Sequence, residues 1–240
     1  MKNPEKPGKM PVFIAGFLLL AFFPLFSQDL FQQGEEAFMN NQPEKTVTLL
    51  TPLAEGGASK KETYLYLGIA LQQLGRYGEA VSVFSRGVEK TLPPYDKLYF
   101  NMGNNYFLQN QDSDAERAFS RAIQENSRLA SAYLNRANTR MRMAKYRDAV
   151  ADYRVYLLQA PDSPQKAAIE DLINRLDGYL ASEEQRKQQE AAARAAEEER
   201  QRALLASVLS SLENAESDTV NMRAESEDVE SLDLELDIED

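Results

Sequence analysis

The sequence predicts an all-α protein, a solenoid of helix–turn–helix units closed by a further helix. Three observations predict it. A pattern of aromatic and small residues recurs every 34 or 35 residues along the middle of the chain. Within each copy, apolar residues fall at helical spacing in two stretches joined by a short polar turn. Behind the last copy, the chain carries a long run of strong helix formers without Gly or Pro.

The N-terminus stands apart from this pattern. Lys2, Lys6 and Lys9 precede an apolar run from Pro11 to Phe26, and Ser27 gives a small residue before the polar Gln28 and Asp29. This is the layout of a secretory signal peptide over residues 1–27. The apolar run is shorter than the ~20 residues that span a bilayer comfortably. Leu25 is large for the third position before a cleavage point, so an uncleaved membrane anchor stands beside the cleaved reading. Either way the chain is expected to be exported, to the periplasm or held at the inner membrane facing it. Membrane contact is expected only through this segment, if it stays uncleaved.

The repeats follow in phase. In the third unit, 96–129, Tyr99, Met102, Gly103 and Tyr106 share one face of a first helix. Ala115, Ala118, Phe119, Ala122 and Ile123 share one face of a second. Between them Asn110, Gln111, Asp112 and Ser113 read as a turn with a candidate helix cap. One unit back, in 61–94, Tyr64, Leu67, Gly68, Leu71, Gly75, Ala80, Phe84 and Gly87 take the matching places. The fourth unit, 130–163, matches at Tyr133, Ala137, Ala149, Tyr153 and Pro161. The first, 28–60, is a weaker copy with Leu30, Gly34, Ala37, Leu50 and Leu53. Such a pair of helices cannot bury its apolar face alone, so the units are expected to stack.

These residues resemble the tetratricopeptide repeat. Its pattern runs from a large aromatic through Leu-Gly, Tyr, a turn Gly, Ala, an aromatic and Ala to Pro. The resemblance spans roughly residues 28–163. Units two and three carry it well. Unit one is degenerate, lacking the opening aromatic and placing Thr46 where Ala is usual. Unit four departs at the Leu place, Arg136, and at the Tyr place, Arg140. The resemblance implies a right-handed superhelix whose concave groove holds protein or peptide segments. It also implies which places of each first helix line that groove. In unit three these are Lys97, Phe100, Asn104, Phe107 and Leu108. In unit four they are Ser131, Leu134, Asn138, Met141 and Arg142, and in unit two they include Leu65, Ile69 and Gln72. The expected peptide-binding set is Lys97, Phe100, Asn104, Phe107, Leu134, Asn138 and Met141. An Asn amide can bond both the N–H and the C=O of an extended backbone. The competing reading gives these Asn residues to helix–helix contacts. Lys97 alone is basic among the places that family members use to clamp a terminal carboxylate, which argues against that mode.

Residues 164–182 are expected to cap the array, with Ser163 before the helix, Pro164 at its first position, and Ala168, Ile169, Leu172, Ile173, Leu176 and Tyr179 at helical spacing. Residues 183–214 continue as a charged helix with an apolar end, supported by the pairs Glu183/Lys187, Glu190/Arg194 and Glu198/Arg202. A coiled-coil seam is not expected in the charged part, because large a and d residues are missing there. Leu204, Leu205, Val208, Leu209 and Leu212 form the apolar end, a stripe for docking or self-association. Residues 215–240 are expected to be a disordered acidic tail. Within it, Leu232 to Asp240 alternates with period two. It reads either as a strand that pairs with a partner's edge or as a solvated tail.

Composition narrows the function. The chain has no Cys, no His and no Trp. That removes thiol nucleophiles, Ser-His and Cys-His pairs, imidazole ligands and Cys zinc sites. No phosphate-loop, GxGxxG or GxSxG pattern is present. No catalytic residue, metal site or cofactor is expected, and the chain does not read as an enzyme. Net charge is −11. Residues 213–240 hold twelve acidic residues and one Arg, so the rest sums to zero. A neutral body and an acidic tail argue against nucleic acid. The expectation is therefore an exported scaffold or adaptor that binds protein segments in its groove, in cell-envelope assembly. The alternative is a structural spacer whose terminal helix and acidic tail carry the partner contacts.

Overall fold

The computed structural model describes residues 29–233, with side chains to residue 216. The expected export segment over 1–27 and the end of the acidic tail, 234–240, lie outside the described residues. Among these, the chain is helical without strands: α1 over 29–39, α2 Pro43–Glu55, α3 Lys61–Gln73, α4 Tyr77–Lys90, α5 Asp96–Leu108, α6 Asp112–Glu125, α7 Ala130–Arg142, α8 Tyr146–Gln159 and α9 Lys166–Asp233. Two compact units divide at Asp177. The first is a tetratricopeptide-type α-solenoid. Each helix from α2 to α8 packs on its neighbours in sequence, and the first helices of successive units also touch, α3 on α5 and α5 on α7.

The turn inside each unit has one backbone solution. Asn41, Gly75, Asn110 and Ala144 stand at equivalent places and all have positive φ, at 52°, 72°, 59° and 55°. Around each, two backbone bonds close the end of the first helix. In unit two Gly75 N donates to Gln72 O at 3.0 Å and Arg76 N to Leu71 O at 2.9 Å. In unit four Ala144 N donates to Met141 O at 3.1 Å and Lys145 N to Arg140 O at 2.9 Å. This is the Schellman closure of a helix end. The second helix then starts without a side-chain cap. At α6 the capping position is Gln111, and no side chain bonds the helix end there. The cap expected within the Asn110–Ser113 turn is not made, because the helix starts at Asp112 and so places Gln111 at the capping position.

Close approach of the two helices explains two glycines. A Cβ on Gly68 would meet the Phe84 ring at 2.3 Å, and one on Gly103 the Phe119 ring at 2.5 Å. Both rings are wholly buried. The aromatics therefore fill a slot that only a bare backbone leaves open. One core cluster runs through units one and two, from Phe31, Leu50 and Ala54 through Tyr64, Leu67 and Phe84 to Leu98. Another runs from Ala137 and Tyr153 in unit four to Ile169, Ile173 and Leu176 on α9.

Three expectations about the end of the chain change. The helix starts at Lys166 instead of Pro164. Ser163 Oγ accepts from Gln165 N at 3.2 Å and pairs with Tyr156 Oη at 2.7 Å, and both bonds hold the residues before α9 in a turn. No break separates a cap helix ending at 182 from a charged helix. Residues 215–233, expected to be disordered, also continue α9. The physical reason is shared: past Gly178 the chain contains no Gly or Pro, so nothing in the backbone stops propagation. Among the described residues, no helix is long and apolar enough to cross a membrane.

Candidate binding groove

The first helices of units two to four present their outward places side by side, because α3 touches α5 and α5 touches α7. Amide side chains bridge these helices. Gln73 Nε2 donates to Asn41 Oδ1 at 3.3 Å, Asn105 Nδ2 to Gln72 Oε1 at 2.9 Å, and Asn135 Nδ2 to Asn104 Oδ1 at 2.7 Å. Between units one and two an aromatic contact joins the amide bridge: Tyr66 stacks on Phe38 at 4.5 Å, and its hydroxyl donates to Glu35 Oε1 at 3.2 Å. Burial, and then the bond to Glu35, hold the Tyr66 hydroxyl above its ordinary pKa.

The expected groove residues separate into distinct environments. Lys97 is exposed, and its carbonyl accepts from Asn101 Nδ2 at 2.7 Å. Phe100 is half-buried with its ring 5.9 Å from that of Phe119. Phe107 carries the Arg142 guanidinium 3.6 Å above its ring, and its carbonyl accepts from Arg142 Nη2 at 3.0 Å. Arg142 also pairs with Asp112. Leu134 and Met141 are half-buried against the unit-four core. Asn104 and Asn138 occupy the same place one unit apart but bond differently. Asn104 Oδ1 accepts from the next first helix, while Asn138 Oδ1 accepts from Tyr153 Oη, at 2.7 Å, in its own second helix. The two share one property: among the described residues neither Nδ2 has a hydrogen-bond acceptor.

The structure brings together a second set that the sequence reading passed over. Arg136 donates to both carboxylate oxygens of Asp152, Nη2 to Oδ1 at 2.7 Å and Nε to Oδ2 at 2.8 Å, and its Nη1 to Ser120 Oγ at 3.0 Å. Arg140 donates to Glu116 Oε1 at 2.9 Å and to Asp152 Oδ2 at 2.8 Å. Lys145 completes the cluster on Glu116 Oε2 at 2.6 Å. The two places where unit four departs from the repeat pattern therefore supply the arginines that join it to unit three. The signal was the pair of departures itself: two arginines on an apolar face need carboxylates opposite. Burial raises the Glu116 pKa, but bonds from Lys145 and Arg140 outweigh it and hold the carboxyl below its usual range.

Where this cluster sits, earlier units have open crevices. One of about 290 Å³ lies between α4, α5 and α6, floored by Tyr99, Met102 and Tyr106 and edged by Glu89 and Arg121. The matching one between α2, α3 and α4, about 240 Å³, is floored by Leu67, Leu71 and Val83. Among the described residues, no group of His, Cys, Asp and Glu could hold a metal ion.

The arrangement is that of a tetratricopeptide-repeat solenoid, and solved structures share that fold. The chain is similar to the crystal structure of MamA protein, with a TM-score of 0.57 and 18% identity over 63% of this chain and 82% of that one. It is also similar to MamA 41-end from Desulfovibrio magneticus RS-1, with a TM-score of 0.53 and 14% identity over 65% of this chain and 93% of that one. At these identities the likeness gives the fold. No protein-family model matches the chain, and no curated protein matches it.

Proposed function

We propose that this chain is an exported, non-enzymatic scaffold that holds extended protein segments along the first-helix face of units three and four, in assembly of the cell envelope. The observation that carries the reading is the shared state of Asn104 and Asn138. Each has its Oδ1 occupied inside the fold and its Nδ2 without an acceptor, on the two helices that also carry Phe100, Phe107, Leu134 and Met141. Two amide donors one repeat apart, flanked by apolar surface, suit the carbonyls of an extended backbone. Lys97 adds one cation at the edge, which is too little charge to select an acidic ligand. Export rests on the layout of residues 1–27, and mass spectrometry of the exported protein tests it. A mature chain beginning at Gln28 supports cleavage, and an intact N-terminus supports an anchor.

The binding test uses Asn104→Asp with Asn138→Asp. Asp keeps the oxygen that accepts from Asn135 and from Tyr153 but replaces the outward donor. Loss of partners recovered from the envelope fraction, at unchanged melting temperature, is the expected result. Unchanged recovery removes the groove from the account. A second reading makes the solenoid a spacer and gives the contacts to α9 and the acidic tail. It is favoured by the Leu204–Leu212 stripe, where all five apolar side chains are at least 50% exposed. Deleting residues 203–240 separates the two: recovery of no partners favours the spacer.

A further inference from the structure

The first-helix face changes character at its unit-one end. On α1, Phe31, Glu35 and Phe38 stand one helical turn apart and share a stripe. On α3, Glu62 and Tyr66 share another. The two stripes meet. The Tyr66 ring stacks on Phe38 at 4.5 Å and on Phe31 at 6.4 Å, and its hydroxyl donates to Glu35 Oε1 at 3.2 Å. Glu35, Phe38 and Tyr66 are half-buried, and Glu62 is exposed.

Two carboxylates therefore flank one stacked tyrosine. Burial is the largest cause of the raised Tyr66 pKa, and the charges that add to it, Glu35 and Glu62, are both negative. Among the described residues neither carboxylate has a Lys or Arg partner. The nearby lysines are engaged elsewhere: Lys60 Nζ lies 3.7 Å over the Phe31 ring, and Lys61 Nζ donates to Pro94 O. Asp29 and Glu36 add negative charge on α1, where Asp29 accepts from the neutral Gln33. Lys60 on Phe31 shows what this aromatic set attracts, because ring faces carry negative potential. One unit on, Lys97 takes the place that Glu62 holds in unit two. The face thus turns from negative at units one and two to positive at the start of unit three.

We infer that the unit-one end of this face takes a Lys or Arg side chain of the bound segment, held by the Glu35 and Glu62 carboxylates against the rings of Phe38 and Tyr66. The inference rests on the groove reading for the course of the segment, since the cation enters at one end of the same face. A guanidinium or ammonium there gains two carboxylates and a ring contact at once. Lys97 repels the same cation one unit on, so the change of sign seats the segment in one register.

The test screens a library of short peptides, varied at every place, against the exported full-length protein. Recovered peptides are measured by fluorescence anisotropy beside copies in which citrulline replaces Arg and acetyl-lysine replaces Lys. The expected result is a Lys or Arg shared at one place, whose neutralisation weakens binding about tenfold. Glu35→Gln with Glu62→Gln keeps an oxygen that accepts from Tyr66, and is expected to bring charged and neutral peptides to equal affinity at unchanged melting temperature. Glu62→Lys, a change at an exposed place, must also remove the preference. Recovery of no peptide, or of peptides without a shared cation, overturns the inference, as does a cation preference that survives both variants. Asn104→Asp with Asn138→Asp tests the groove reading separately, by lowering the affinity of charged and neutral peptides together. If that variant binds as before while the Glu variants lose the preference, the cationic subsite stands and the groove reading falls.

Discussion

Arg136 of α7 and Asp152 of α8 form a two-point pair, Nη2 to Oδ1 at 2.7 Å and Nε to Oδ2 at 2.8 Å, with the aspartate side chain only 4% exposed. Such a fork fixes both side chains in one plane. Arg140 adds a third bond to the same carboxylate and ties it to Glu116 on α6. The junction between units three and four is thus ionic where the repeat pattern would place Leu and Tyr.

Removing one member should therefore cost more than removing the cluster. Asp152→Ala leaves Arg136 without a carboxylate in a mostly buried site, and is expected to lower stability by about 3–5 kcal/mol. Replacing Arg136, Arg140 and Asp152 together by apolar residues of similar volume leaves Glu116 with Lys145. That variant is expected to lie between neutral and roughly 4 kcal/mol more stable. Urea unfolding of the variants decides, and a triple variant weaker than Asp152→Ala would contradict the account.

The same cluster predicts an acid limb. The folded pKa of Glu116 lies below its ordinary 4.5. A depressed carboxylate contributes stability that is fully present above the unfolded pKa and is lost as pH falls through the folded one. Melting temperature should hold above about pH 5 and decline below 4.5, and Glu116→Gln should flatten part of that decline. An unchanged slope in the variant would assign acid sensitivity to other carboxylates.

Gly68→Ala and Gly103→Ala are each expected to destabilise by roughly 1–3 kcal/mol, since the added methyl overpacks a buried ring. Unit four already carries Ala137 at this place, with Tyr153 opposite. Ala137→Gly should therefore bring no gain from relieved crowding and lose helix propensity of about 1 kcal/mol. Thermal melts of the three variants give the comparison.

Ala144 has φ 55° at the turn where unit two has Gly75 and units one and three have Asn. Left-handed backbone costs an alanine roughly 1–2 kcal/mol. Ala144→Gly is expected to stabilise by about 0.5–1 kcal/mol after the greater freedom of unfolded glycine is subtracted. A lower melting temperature for this variant would show that the turn is not strained.

The repeat phase was legible because it is written in local terms. Tyr64, Gly68, Phe84 and their counterparts recur at a fixed spacing, and a slot for a ring needs a bare backbone opposite it. Gly75 marked its turn for the same reason. Ala144, which takes the same φ, carried no such mark, since Ala resides comfortably in a helix. The tail carries two opposed signals. Acidic composition argues for disorder, while the absence of Gly and Pro after Gly178 argues for helix, and the second argument describes α9 to Asp233.

By itself the sequence determined the class of fold, the number and phase of the units, and the absence of thiol and imidazole chemistry. Those follow from residue identity and from spacing along one chain. Only the tertiary structure decided how Asn104 and Asn138 differ, where Arg136 and Arg140 find their carboxylates, and which groove donors remain without acceptors. Each of those depends on partners 12 to 31 residues away, as with Asp152 for Arg140, Tyr153 for Asn138 and Asn135 for Asn104. Hydrogen bonds are set by distance and direction in space, and one-dimensional periodicity specifies which faces meet without specifying which atoms do.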